Sequence, residues 1–231
     1  MSEDRSGLLE VGSRVAPLLR LLQLSDSALP AGAYAFSDGL ETLTARGGVS
    51  SAGELQVFLR GQLHSGWGRA DPPACALAWA GHDLTELDEL LDLLKPVSGP
   101  QAASVRMGAN LTRAARALWP QLLTGWSAHT PTARHHACVY GSLARALGVP
   151  RQAAVSAYVS SWLLGRAVSA TRLMKLGGLE AQRAVTLLED DAHACIGRAL
   201  AATPDELGGF SPALDVAAAE QPGLPMRLFQ S

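Results

Sequence analysis

The sequence predicts an all-α protein, a single-domain bundle of roughly eight to ten helices. Three observations predict it. The 48% hydrophobic share leans on Ala and Leu rather than on Val, Ile and aromatics, and these residues lose little side-chain entropy in a helix. The chain of 231 residues is long enough for one sizeable core. Apolar residues recur at helical spacing between Pro and Gly stops along most of its length.

Taken in order, Val15, Leu18, Leu19 and Leu22 form a stripe that ends before Pro30, because the residue ahead of a proline is pushed out of the helical region. A second helix is expected from Gly32 or Tyr34 through Leu40 and Leu43 to the glycines at 47 and 48. Ser51 and Glu54 have capping-box spacing and open a third helix carrying Leu55, Phe58, Leu59 and Leu63. Asp71 followed by two prolines marks another helix start, since proline is tolerated where the amide has no partner. Leu84, Leu87, Leu91 and Leu94 form an amphipathic stripe, and "KPVSGP" at 95–100 reads as a linker between two helical halves. Further helices are expected near 101–118, 134–147, 151–170, 179–201 and 211–219. In the segment 151–170, Ala157, Ser161, Gly165 and Ser169 make a row of small residues, so this helix is expected to sit centrally with a neighbour close against the row.

A formal net charge of −2 gives no field to hold a phosphate backbone, and no basic run is interleaved with aromatics, so a nucleic-acid partner is not expected. Cys75, Cys138 and Cys195 are widely spaced, without a CxxC pair, and read as core residues. The first residues carry acids where a signal peptide has a basic region, and the most apolar stretch, Ala153 to Ala170, is broken by Ser156, Ser160, Ser161 and Arg166. A cytoplasmic protein without a membrane segment is the expectation.

Few residues suggest chemistry. Neither Lys95 nor Lys175 follows a glycine, so the chain has no P-loop. His129, His135 and Cys138 are weak candidates for a metal site, completed by Glu189 or Asp190 in an alternative reading as a helical metalloenzyme. Against it stands the plainer reading of capping or solvated histidines beside a buried cysteine. The acids 189–191 point in different directions if they lie within a helix, which suits a solvated face. In "LSDSALPAGAYAFSDGLE", 24–41, Ser25, Ser27 and Ser37 have no histidine nearby to activate them. Pro and Gly beside Ser and Asp make instead a shaped corner anchored by Tyr34 and Phe36.

Within that segment, "LPAGAYAFSDGLE" is similar to a signature of the UreF type of urease accessory protein. "ASVRMGANL" (103–111), "HHACVYGSLARALGVP" (135–150), "TRLMKLGGLEAQ" (171–182) and the final "MRLFQS" (226–231) resemble further segments of that family, in the same order. The chain departs from the pattern ahead of Ser104, where Glu-x-Arg is usual, and at Lys175 and Gly178, which stand where Pro and Gln are usual.

The resemblance implies a UreF-like all-α fold and a protein that is not an enzyme, with no catalytic residues and no intrinsic cofactor. It implies a role in maturing the nickel metallocentre of urease, as a homodimer that bridges a UreD/UreH-type scaffold and the UreG-type GTPase and reaches apo-urease through that complex. Nickel and GTP would be handled by those partners, with regulation of GTP hydrolysis as a further expectation. On the matching positions, the expected partner-binding residues are Pro30, Gly32, Tyr34, Ser37, Gly39, Glu41, Ser104, Arg172, Lys175, Gln182, Arg227, Leu228 and Phe229. Arg172 occupies the basic position from which a side chain could reach a partner's phosphates, or simply anchor an interface. The expected organisation is a flexible N-terminus (1–13), a helical domain (14–220) and a C-terminal tail (221–231). In that tail Leu228 and Phe229 either dock on the scaffold or fold back on the body. A stand-alone helical adaptor unrelated to urease is the third reading.

Overall fold

A computed structural model describes residues 15–32, 37–126, 135–224 and 228–229. Among these residues all regular structure is helical: α1 (15–24), α2 (Leu40–Ala45), α3 (Ala52–Ser65), α4 (Asp71–Ala80), α5 (Leu84–Leu94), α6 (Ser98–Leu118), α7 (His136–Ala146), α8 (Arg151–Leu173), α9 (Gly178–Thr186), α10 (Glu189–Ala201) and α11 (Pro212–Glu220), with short 3-10 turns between some of them. None of these helices is long and apolar enough to cross a membrane.

The predicted start at Ser51 is held by the expected capping box, and α5 has a cap of its own. The Glu54 amide donates to Ser51 Oγ at 3.3 Å, while the Glu54 carboxylate accepts from the Ser50 amide and the Ser51 hydroxyl. Asp83 accepts the Thr85 amide at 2.7 Å to cap α5. Asp71 opens α4 ahead of Pro72 and Pro73, and its buried carboxylate pairs with Lys95 Nζ at 2.6 Å.

Four expectations need correction. The second helix starts only at Leu40, since Asp38 (φ 49°) and Gly39 (φ 81°) form a left-handed turn that a right-handed helix cannot contain; the start at Tyr34 lies outside the described residues. The linker is shorter than 95–100, because Ser98, Gly99 and Pro100 form the first turn of α6, where proline's missing amide leaves no helical bond unmade. The helix expected over 179–201 is broken at Leu187 and Leu188; the buried Leu188 turns the chain, and Glu189, Asp190 and Asp191 then face the positive end of a new helix. Asp191 also ties α10 to α3, accepting from Arg60 Nε at 3.0 Å and lying 2.7 Å from His64 Nε2.

The fourth concerns the small-residue row. α8 does pack against α2, α4, α7, α9 and α10, but a Cβ on Gly165 would meet nothing within 4 Å, and Ser161 and Gly165 face a cavity. The close approach lies elsewhere. All of α4 from Asp71 to Ala78 is buried, and Gly141 of α7 sits so near it that a Cβ would fall 2.1 Å from the Cys75 carbonyl oxygen. Ala74, Ala78, Ala137 and Ala144 keep the rest of that contact thin.

Among the described residues two large apolar clusters result, with a small third around Ala76, Val155 and Ala199. One joins α4, α5, α6 and α7 around Leu77, Leu87, Leu111 and Leu143. The other joins α3, α8, α9 and α10 around Leu55, Leu59, Leu63, Leu163 and Leu188. Trp67 packs against both and stacks on Trp162 at 4.4 Å between ring centroids.

Gly141→Ala is expected to lower unfolding stability by about 2–4 kcal/mol, because the added methyl forces α4 and α7 apart. Gly165→Ala has open space and gains helix propensity, so it should be neutral or stabilising by up to about 1 kcal/mol. Urea denaturation of the two variants checks the contrast.

Candidate partner-binding site

The corner that follows α1 is built from side-chain-to-backbone bonds. Asp26 Oδ1 accepts the Ala28 amide at 2.8 Å, and Ser25 Oγ meets the Tyr140 hydroxyl at 2.9 Å. Pro30 is exposed; Gly32 takes φ 87°, and a Cβ there would lie 3.3 Å from Asn110 Nδ2. Tyr34 lies outside the described residues. Ser37 is fully buried. Asp38 holds its left-handed backbone through α8: its Oδ2 accepts from Trp162 Nε1 at 3.1 Å and lies 2.8 Å from Nη1 of the buried Arg166. Gly39 is needed twice, for its positive φ and because a Cβ would fall 2.6 Å from Leu214 Cδ1.

Glu41 follows on α2, only 3% exposed. A buried carboxylate is costly unless its oxygens accept hydrogen bonds, and both do: Oε2 from Gln221 Nε2 at 2.7 Å, Oε1 from the Leu228 amide. The C-terminal segment is thereby drawn onto the corner. Phe229 is 4% exposed whereas Leu228 remains 59% exposed, and the Arg172 guanidinium lies 6.0 Å from the Phe229 ring centroid, within cation–π range. Arg46 and Glu220 form an ion pair beside them. Positions 41, 172, 221, 228 and 229 thus share one neighbourhood. Lys175 and Gln182 are exposed on the chain that continues from α8 into α9. Arg227 lies outside the described residues.

Ser104 is placed differently, at 4% exposure inside the first cluster. Its Oγ meets His135 Nδ1 at 3.0 Å and accepts the His136 amide at 3.4 Å. His135 Nε2 meets Asp92 Oδ1 at 3.0 Å, and the His135 amide donates to Asp88 Oδ1 at 3.0 Å. α5 and α6 therefore cap the start of α7. This fully uses the histidine that the sequence offered as a metal ligand. Cys138 is buried, with its thiol pushed well above the usual range by burial and by Asp88 beside it. His129 lies outside the described residues; among those described, no group of three or more His, Cys, Asp or Glu is placed to hold a metal ion. Glu189 and Asp190 do not join His135 and Cys138.

Sequence reasoning missed Asp38, Asp88, Asp92, Arg166 and Gln221. Only Asp38 carried a signal, the Asp-Gly pair that favours a left-handed turn.

Burial holds the His135 imidazole below its usual value, against the Asp92 carboxylate, and lowers His136 to about 4. Both are therefore neutral in the folded protein at pH 7, while the unfolded chain protonates them from about pH 6.5 downward. The stability each neutral histidine contributes is full above pH 6.5 and is lost as pH falls below it, by at most about 1.4 kcal/mol per pH unit for each, and for His136 the loss continues down to about pH 4. Thermal unfolding from pH 7.5 to 5 should show this decline, and His136→Phe should flatten it.

The match to a family model described as UreF covers residues 49–189, which include Ser104, His135, Arg172, Lys175 and Gln182. Beyond that span, the chain is similar over most of its length to the urease accessory protein UreF of several bacteria. It is 33% identical to that of Chromohalobacter salexigens, over 93% of this chain and 94% of that protein. It is 30% identical to that of Arthrobacter sp. (strain FB24), over 92% and 96%, and 31% identical to that of Azoarcus sp. (strain BH72), over 93% and 96%. These relatives bear the name of an accessory protein to an enzyme, not of an enzyme. With its helical fold and its relatives both spanning most of the sequence, the chain belongs to the UreF family.

Proposed function

We propose that this chain assists the maturation of the nickel metallocentre of urease by holding other proteins in register, without turning over a substrate. In this reading a homodimer in the cytoplasm binds a UreD/UreH-type scaffold and a UreG-type GTPase and meets apo-urease through the complex. Nickel and GTP stay with those partners. The observation that supports it best is the convergence of Glu41, Arg172, Leu228 and Phe229, from segments far apart in sequence. A buried bond network of this kind fixes a surface. Leu228, more than half exposed beside the buried Phe229, offers an apolar contact next to the cation Arg172.

The tail 221–231, carrying Leu228, Phe229 and Arg227, is assigned to the scaffold, as are Pro30, Gly32, Tyr34 and Gly39 of the signature segment. Arg172, Lys175 and Gln182 are assigned to the GTPase, where Arg172 supplies a cation for an acidic surface or for phosphate oxygens. Ser37, Glu41 and Ser104 act from inside by holding that surface in shape. The helical body 14–220 is the unit that presents it.

Co-expression with the scaffold and the GTPase, followed by pull-down and urease activation, tests the proposal. Deleting residues 224–231 is expected to weaken scaffold capture at least about tenfold, the loss of about 1.4 kcal/mol or more, with the helical circular-dichroism signal retained. Arg172→Ala is expected to spare the scaffold complex and reduce GTPase recruitment or GTP hydrolysis. Normal capture and normal urease activation by both variants would refute the proposal.

A further inference from the structure

Among the described residues Asp38 is the one residue other than glycine with a positive φ, at 49°. Such a backbone persists only where the surroundings over-determine it, and residues held this way gather at functional sites. The surroundings here come from α8, far along the chain. Trp162 Nε1 donates to Asp38 Oδ2 at 3.1 Å, and Nη1 of Arg166 lies 2.8 Å from the same oxygen. The Arg166 guanidinium in turn sits 5.9 Å from the Trp162 ring centroid. On the other side of the turn, Gly39 lies close against Leu214 of α11, and Glu41 carries the tie to the Leu228 amide.

The ion pair is a poor source of stability. The Arg166 side chain is 5% exposed and that of Asp38 29%, so the guanidinium bears most of the desolvation cost while the carboxylate keeps part of its water. Neither Nε nor Nη1 of Arg166 makes a hydrogen bond among the described residues, and a buried donor left unmade costs more than a typical bond returns. Pairs of this quality are commonly matched or bettered by apolar side chains of similar volume. An apolar side chain at 166 has no charge with which to hold Asp38 in its left-handed turn.

We infer that Arg166 is a positioning residue: through Asp38 it fixes the turn ahead of α2, and thereby the direction in which Glu41 presents its carboxylate to the C-terminal segment. Its worth lies in selecting one arrangement of that face rather than in stabilising the fold. The consequence for scaffold capture rests on the proposed function, whereas the placing of the segment does not.

Melting temperature and amide exchange at Leu228, measured on Asp38→Asn, Arg166→Met and the double variant of the full chain, test the inference. Asp38→Asn alone leaves a buried guanidinium unpaired and should melt lowest of the three. The double variant removes both charges while its new amide can still accept from Trp162, so it should melt within about 4 °C of the parent or above it. Its Leu228 amide, like that of Arg166→Met, should nevertheless exchange at least about tenfold faster than the parent's, with the core amides of α4 and α7 still protected. A pair that merely stabilised the fold would move melting and exchange together. A double variant that melts further below the parent than this, or no higher than Asp38→Asn, or one whose Leu228 amide exchanges as slowly as the parent's, would overturn the inference. Faster exchange with weaker scaffold capture supports both the inference and the proposed function. Faster exchange with normal capture supports the positioning and counts against the tail as the scaffold's contact.

Discussion

A carboxylate taken out of water must accept hydrogen bonds or lose its charge, and among the described residues Glu41 meets that demand with groups from the other end of the chain. Gln221 and Leu228 supply the two donors. The demand on one side chain therefore decides where the C-terminal segment rests. Phe229 and Arg172 meet as a consequence. Removing one partner of such a buried set costs on the order of 1–3 kcal/mol, since the donors are left unpaired.

That corner is stiff because the body beneath it is stiff. Gly141 lets α7 lie against the backbone of α4, and the start of α7 is capped from two other helices through Asp88 and Ser104. Asp38 couples the signature turn to α8 through Trp162 and Arg166, and Trp162 stacks on Trp67, which touches both apolar clusters. Displacing the turn would thus disturb packing well beyond it. A surface of this kind suits a protein whose work is to fit others, because an interface preorganised in the free protein loses less entropy on binding.

Local chemistry was the legible part of the sequence. Ser51 with Glu54 and the Asp71-Pro-Pro start both lie at true helix starts, because a cap or a first-turn proline is decided within three residues and needs nothing from the rest of the fold. The acids at 189–191 were the same kind of signal read in the wrong place: they mark the first turn of α10, whose positive end favours them, rather than the middle of a longer helix. What could not be read were choices made between distant helices. Small residues occur in both α7 and α8, and the pattern alone does not say that Gly141 meets Cys75 while Gly165 faces a cavity. His135 offered metal-binding chemistry until Ser104 and Asp92 were seen on its two nitrogens. The resemblance singled out the segments at 41, 172 and 228 but carries no information that they meet around Phe229.

The tie between Glu41 and the C-terminal segment is the contact on which the arrangement of this face depends, and amide hydrogen exchange at Leu228 reads it directly. Its amide donates to Glu41 Oε1, so in the native protein it should exchange at least about tenfold more slowly than a free amide. Glu41→Ala should raise that rate towards the free value while the core amides of α4 and α7 remain protected. A Leu228 amide that exchanges freely in the native protein, or one whose protection is untouched by Glu41→Ala, would contradict the account.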